Sequence, residues 1–239
     1  VAVPKLAKIA VAQQNDYTAA GEVPMLLRNI PLFANLSDSE LAQISAEASL
    51  KQFPKNKVIL SEGEKSDSLY AIVAGKVKVL ISDEEGKEII LAILGSGEFF
   101  GEMSLIDNQP RSATVITMES SSFNVIAHSD FMRCLSANPQ IARTILQTMA
   151  KRLREADKKI ESLALLDVYG RVARTLLELA KKENGKLVVS QNLSQQDIAN
   201  MVGASREMVN RILKDLAQGG YIKVESKHII INETLPTSL

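Results

Sequence analysis

FGEMSLIDNQPRSATV, residues 100–115, sets a glycine, a carboxylate and an arginine where one small anionic sugar can meet all three. Gly101 lets the backbone approach a ligand closely, Glu102 accepts hydrogen bonds from hydroxyls, and Arg111 offers a planar fork to a phosphate. Between them Met103–Ile106 is short and apolar, so it predicts a single helical turn whose unpaired N–H groups also favour an anion. That combination points to a reader of phosphate and ribose. Gly-Glu and Pro-Arg pairs occur in ordinary surface turns as well, with the arginine merely solvated, so the flanks decide.

Upstream, ILSEGEKSDSLYAIVAGKVKVLI (59–81) carries β-branched residues in near alternation, punctuated by Gly63 and Gly75, as short antiparallel strands with tight turns require. SATVITMESSSFNVIA (112–127) repeats the pattern downstream. Together they predict a small β-roll with the Glu102–Arg111 loop as its excursion. The glycines, the Asp67–Tyr70 approach, GEMSL and PRSATV resemble the cyclic-nucleotide-binding domain and its phosphate-binding cassette. The resemblance implies ligand contacts from Gly101, Glu102, Met103, Ser104, Arg111 and Ser112.

The chain of 239 residues is long enough for two modest domains. Its 28 basic and 28 acidic residues balance, but from Val168 onward there are ten of the former and seven of the latter. The basic excess sits where a polyanion would bind. One cysteine, Cys134, excludes an intrachain disulfide and an iron–sulfur cluster, and its apolar neighbours Phe131, Met132 and Leu135 predict a buried, inert thiol. His128 and His228 have no companion at ligand spacing, so no metal site is expected. Without a run of about 20 apolar residues or a signal-like N-terminus, the chain is expected to be cytoplasmic, with no membrane partner.

Residues 1–24 form an N-terminal extension poor in large apolar groups. From Met25 two short helices are expected, one capped by Ser37 with Glu40 completing a capping box. Between Pro139 and Leu166 a long helix carries Ala142, Leu146, Met149, Leu153, Ala156, Ile160 and Leu163 at alternating steps of four and three, the a/d seam of a coiled coil. A single core-facing helix of a monomer is the competing explanation. The narrow stripe, flanked by Arg143, Gln147, Lys151, Arg154, Lys158 and Glu161, favours a parallel homodimer whose interface is Leu146, Met149, Leu153, Ala156, Ile160 and Leu163.

A helical segment, LLDVYGRVARTLLELAKKENGK (165–186), is expected to follow. Ser194 then caps a helix with Asp197 at the capping-box position, Gly203 supplies a turn, and Ser205 caps a second helix buried along Val209, Ile212, Leu213 and Leu216. This is a helix-turn-helix, and the alternation of Tyr221–Ile231, turning near Ser226 and Lys227, makes it winged. The second helix exposes Arg206, Glu207, Asn210, Arg211 and Lys214 to a major groove, with Ser194, Gln195, Gln196 and Ser205 placed for the flanking DNA. Arginine reads guanine and glutamate accepts from cytosine, whereas an i,i+4 surface pair of Glu207 and Arg211 is the bland alternative.

VGASREMVNRILKDL (202–216) is similar to the recognition segment of the Crp/Fnr superfamily, and SRExxxR to its cyclic-AMP receptor branch. By that similarity Arg206, Glu207 and Arg211 would read a TGTGA-like half-site. In that branch a Thr-Ser pair on the dimer helix meets the adenine. Here Ala156 and Asp157 occupy those positions, one turn after a matching Arg152, so the base-reading end departs from the pattern.

The expected fold is α+β: a cyclic-nucleotide-binding β-roll over 25–138, a dimerisation helix over 139–166 and a winged helix-turn-helix over 167–239. The expected function is a ligand-gated dimeric transcription regulator, with cyclic AMP favoured over cyclic GMP or cyclic di-GMP as effector and no other cofactor. Its partners would be double-stranded DNA, a second copy of the chain and RNA polymerase. No GKS/GKT loop, HExxH or nucleophile with an evident base supports catalysis. The alternatives are a response to cyclic di-GMP or to no nucleotide, and a regulatory subunit acting on a protein partner.

Overall fold

A computed structural model describes residues 27–34, 36–65, 67–183, 185–191, 193–225, 228–232 and 235. The N-terminal extension and the expected turn at Ser226 and Lys227 lie outside the described residues. The chain divides into two compact units: Val1–Val77 with Leu94–Ser112 and Ile116–Ile141, and Lys78–Ile93 with Ala113–Val115 and Ala142–Leu239.

In the first unit α1 (Asp38–Glu47) starts where Ser37 turns extended, its hydroxyl accepting from the Glu40 N–H while the Glu40 carboxylate accepts from the Ser37 N–H at 2.8 Å. Along the chain strands β1 (Ser49–Phe53), β2 (Val58–Leu60), β3 (Ser68–Ala74), β4 (Lys76–Ser82), β5 (Glu88–Gly95) and β6 (Phe99–Phe100) follow, of which Lys78–Ile93, most of β4 and β5, belongs to the second unit. After them come α2 (Glu102–Asp107), β7 (Thr114–Thr117), β8 (Ser121–Ala127) and α3 (His128–Ala137). One sheet has the order β1-β8-β3-β6, with β8 antiparallel to both neighbours. Aromatic side chains hold its inner face: Phe123 lies 5.6 Å from Phe53 and 5.5 Å edge-on from Phe100, which stacks on Tyr70 at 5.1 Å. Asn124, fully buried on β8 opposite Leu50 and Ala71, has no hydrogen-bond partner for either side-chain polar atom among the described residues. Cys134 on α3 is half-buried rather than buried as its neighbours implied, because Phe131 takes the core position of that helix.

β4, β5 and the start of β7 belong to a second sheet of order β2-β7-β4-β5. The second unit continues with the long helix α4 (Pro139–Leu165) and then α5 (Val168–Leu179). Its core gathers Val172 and Leu176 of α5 with Ile198 and Val202 of α6 (Gln195–Val202) and Val209, Ile212 and Leu216 of α7 (Arg206–Gln218).

Helix α5 stops at Leu179, seven residues before Lys186, where the helical segment was expected to end. Lys181–Glu183 form strand β9, which pairs with β10 (Lys186–Val189), and β10 pairs in turn with β12 (His228–Ile231) beside β11 (Ile222–Glu225). The helix-favouring Lys-Lys-Glu is overridden because Leu187–Val189 and Ile229–Ile231 build a β-branched ladder with an open edge, which β9 fills.

Candidate ligand cassette and DNA-reading helix

The cassette is built around a buried arginine. Gly101 precedes α2 with φ of +88°, and a Cβ there would fall 2.8 Å from Arg111 Nη1 and 2.9 Å from the Ser68 carbonyl. Only glycine fits both the left-handed backbone and that space. The Arg111 Nη1 donates to the Gly101 carbonyl and to Ser104 Oγ at 2.6 Å, and Nη2 donates to the Ser68 carbonyl at 2.7 Å. Its main chain is clipped too, the N–H to Glu64 O at 2.9 Å and the carbonyl from the Gly63 N–H at 2.8 Å. At 4% exposure Arg111 is not the solvated turn residue that a surface loop would give. Burial lowers its pKa, opposed by Tyr70, Glu102 and Asp67, and burial pushes the Tyr70 phenol up.

Glu102 is 2% exposed, whereas Met103 and Ser112 lie at the surface with Ser112 Oγ 3.8 Å from the Met103 sulfur. A cation and a carboxylate are thus held on either side of one backbone turn. A phosphate entering this cassette would compete with Ser104 and two carbonyls for the five N–H groups of the guanidinium.

On α4, Arg152 is half-buried while Ala156 and Asp157 are exposed. Two residues further, Lys159 donates to the Ile90 carbonyl of β5, and burial lowers its pKa against the opposing field of Glu178. The apolar seam is open to solvent: Leu146 is 69% exposed, Leu153 and Ile160 64% and Leu163 43%, with Ala156 exposed and Met149 partly covered.

The two helices of the DNA reader start as their sequence requires. Ser194 accepts from the Asp197 N–H at 3.1 Å and Asp197 accepts from the Ser194 N–H at 3.0 Å, Gly203 turns the chain at φ of +65°, and Ser205 accepts from the Met208 N–H at 3.2 Å. Arg206, Glu207, Arg211 and Lys214 stand exposed on one face of α7, and Asn210 is half-buried among them. Among the described residues no ion pair joins Glu207 to Arg211; Arg211 Nη2 instead meets the Met208 sulfur at 2.8 Å. Gln195 Nε2 donates to Asn210 Oδ1 at 3.2 Å, and Gln196 Nε2 to Asn200 Oδ1 at 2.7 Å.

A polar cluster in the second unit was not legible in the sequence. Lys78 of β4 lies 3.4 Å from Asp197 of α6 and 3.8 Å from Glu88 of β5, and Glu88 Oε2 accepts from Asn200 Nδ2 at 3.0 Å. Hairpin β4–β5 is thereby fastened to the first helix of the reader, and Lys87 and Glu88 face Gly203 and Arg206 across a cleft. A lysine within an alternating strand gives no local sign of a partner more than a hundred residues away. Lys159 escaped for the same reason.

Residues 50–138 match the family model of the cyclic nucleotide-binding domain, and residues 170–234 that of the Crp-like helix-turn-helix domain. The chain is 34% identical over 213 residues to a CRP-like cAMP-activated global transcriptional regulator of Mycobacterium tuberculosis, an alignment spanning 87% of this chain and 95% of that protein. It is 37% identical over 202 residues to the cAMP-activated global transcriptional regulator CRP of Salmonella typhimurium, over 83% of this chain and 96% of that one. The chain belongs to the Crp/Fnr family. Solved members include the c-di-GMP responsive global regulator CLP of Xanthomonas campestris, with TM-score 0.72 and 28% identity over 83% of this chain and all of that one. Another is a CRP/FNR family regulator from Thermus thermophilus, with TM-score 0.64 and 28% identity over 77% and 94% of the two chains. As a Crp/Fnr protein it is a ligand-gated, DNA-binding transcription regulator, its nucleotide-binding domain preceding its helix-turn-helix. No helix among the described residues is long and apolar enough to cross a membrane.

Proposed function

We propose that the chain is one protomer of a homodimer whose binding to a pseudo-palindromic operator is switched by a cyclic nucleotide, with cyclic AMP the favoured effector. The observation that carries this reading is Arg111, buried and held by Gly101, Ser104 and Ser68 beside Glu102. Arg111 takes the phosphate, Glu102 the ribose 2′-hydroxyl, and Met103, Ser104 and Ser112 line the entry. Arg152, Ala156 and Asp157 of α4 serve the ligand from the helix that also pairs the protomers. Because Ala156 has no hydroxyl and Asp157 adds a charge, selection of adenine is looser than the threonine–serine pattern gives.

The exposed seam of α4 is the dimer interface, and a two-fold axis through it presents two α7 helices to half-sites about 34 Å apart. Arg206, Glu207 and Arg211 read bases, while Lys214, Ser194, Gln196 and Ser205 bind backbone. The working domains are 25–138, 139–166 and 167–239. The protein is not an enzyme, works in the cytoplasm and touches RNA polymerase at the promoters it governs. A response to cyclic di-GMP is the second reading, favoured by the likeness to the Xanthomonas regulator over all of that chain.

Calorimetry of the full chain with cyclic AMP, cyclic GMP and cyclic di-GMP, each with and without operator, tests the effector. Arg111→Leu should weaken mononucleotide binding by roughly ten- to a hundredfold, the loss of one charge-assisted contact of about 1.5–3 kcal/mol. Binding of the dinucleotide alone would replace the first reading with the second. Tight operator binding with no nucleotide bound would refute both.

A further inference from the structure

Asn210 is placed to do more than fill the space between the two arginines of α7. It follows Arg206 by four residues and Glu207 by three and precedes Lys214 by four, so it shares their face at the centre of the reading surface. An asparagine amide has two donors on Nδ2 and two acceptor sites on Oδ1. One acceptor site is taken by Gln195 Nε2, the first residue of α6, at 3.2 Å. In this arrangement the bond uses the oxygen end of the amide. It leaves one acceptor and two donors side by side. The major-groove edge of adenine offers the complement, an N7 acceptor beside an N6–H donor, whereas guanine offers two acceptors.

We propose that Asn210 is a specificity-determining residue that reads one adenine in each half-site, with Gln195 as the positioning residue that fixes its amide. The proposal rests on the DNA-reading assignment of α7. Arg206, Glu207 and Arg211 select G·C pairs, and Asn210 adds an A·T pair beside them. The competing role for the bond is a brace between α6 and α7. Replacing Asn210 with aspartate separates the two, because a carboxylate still accepts from Gln195 but has no N–H for adenine N7. It accepts instead from the N4 amine of cytosine.

Operator selection from random DNA by the full-length protein, in the presence of cyclic AMP and again of cyclic di-GMP, supplies the sites. Wild type should return a palindrome with one invariant adenine per half-site beside the G·C pairs, and Asn210→Asp should shift that position toward cytosine while leaving the others. Replacing the adenine by 7-deaza-adenine in the selected operator should weaken wild-type binding about tenfold and leave Asn210→Ala unaffected. The base analogue needs no mutant to fold. Gln195→Leu should relax discrimination at that pair more than at any other; undiminished discrimination there would remove Gln195 from the proposal. A palindrome whose preferences survive Asn210→Asp, or equal affinity for the 7-deaza operator, would overturn the role of Asn210 and leave the regulator reading standing. Recovery of no palindrome with either nucleotide would overturn both.

Discussion

Replacing Lys78 by methionine keeps all but the last atom of the side chain's length and removes the cation of the cluster that fastens hairpin β4–β5 to α6. Lys78, Asp197 and Glu88 have side chains 19%, 17% and 35% exposed, between the surface and the buried limit. A fully buried charge left without its partner costs about 3–5 kcal/mol, and an exposed pair is worth about 0–1 kcal/mol. Both carboxylates also keep other donors in the variant: Asp197 the N–H and hydroxyl of Ser194 at 3.0 and 2.6 Å, Glu88 the Asn200 amide at 3.0 Å. The expected loss is therefore about 1–3 kcal/mol, read as faster hydrogen exchange in α6, because a chain of two units gives no safe global two-state value. Double-mutant cycles sharpen the test. The shorter and more buried contact makes the coupling of Lys78 to Asp197 larger than to Glu88, at about 1–2 kcal/mol against less than about 1 kcal/mol. Both values should change little with salt, since partly buried pairs are weakly screened. Two couplings of zero, or a Glu88 coupling above that of Asp197, would show that the cluster is an incidental contact.

Leu153→Asp, set in a seam position that is 64% exposed in the single chain, should give a monomer that also loses operator binding; sedimentation at micromolar concentration reads this, and a monomeric wild type would refute the interface. Asn124→Leu removes two buried polar atoms that have no partner among the described residues and should raise the melting temperature of the first unit by a few degrees, about 1–3 kcal/mol; a lower temperature would mean that the amide is satisfied in solution. For Lys159 the sign follows from its pKa, lowered by burial from 10.5. Between the folded and unfolded values the unfolded chain binds more protons, so wild-type stability relative to Lys159→Met should be flat at lower pH and rise as pH climbs toward 10.5. Urea midpoints of the two proteins across that range test it; a difference that stays flat with pH would show that Lys159 keeps its charge without cost, and one that falls would show that the fold favours the charge.

The fold was legible wherever the deciding interaction is local. Ser37 with Glu40 and Ser194 with Asp197 announce helix starts because a capping box closes within four residues, and both form. Gly203 announces the turn between α6 and α7 for the same reason. The GEMSL and PRSATV segments identified the cassette by their spacing, yet what makes Arg111 more than a turn residue is the Ser68 carbonyl, 43 residues away.

Where local preference and distant pairing disagree, the sequence misleads. Lys181–Glu183 favour a helix by propensity and were taken into a strand by an open edge of Leu187–Val189, itself held by Ile229–Ile231 some 40 residues on. Lys78 shows the other limit. Its neighbours in KVKVLI are those of any half-buried strand, and the carboxylate that meets it comes 119 residues later. Nothing local distinguishes a lysine that ends in solvent from one that ends on Asp197. Lys78 and Glu88 lie in the segment matched by the nucleotide-binding model, and Asp197 and Asn200 in the segment matched by the helix-turn-helix model. A switch that links ligand to operator needs contacts that join those two segments, and contacts of that kind pair residues too far apart in sequence for periodicity or propensity to register.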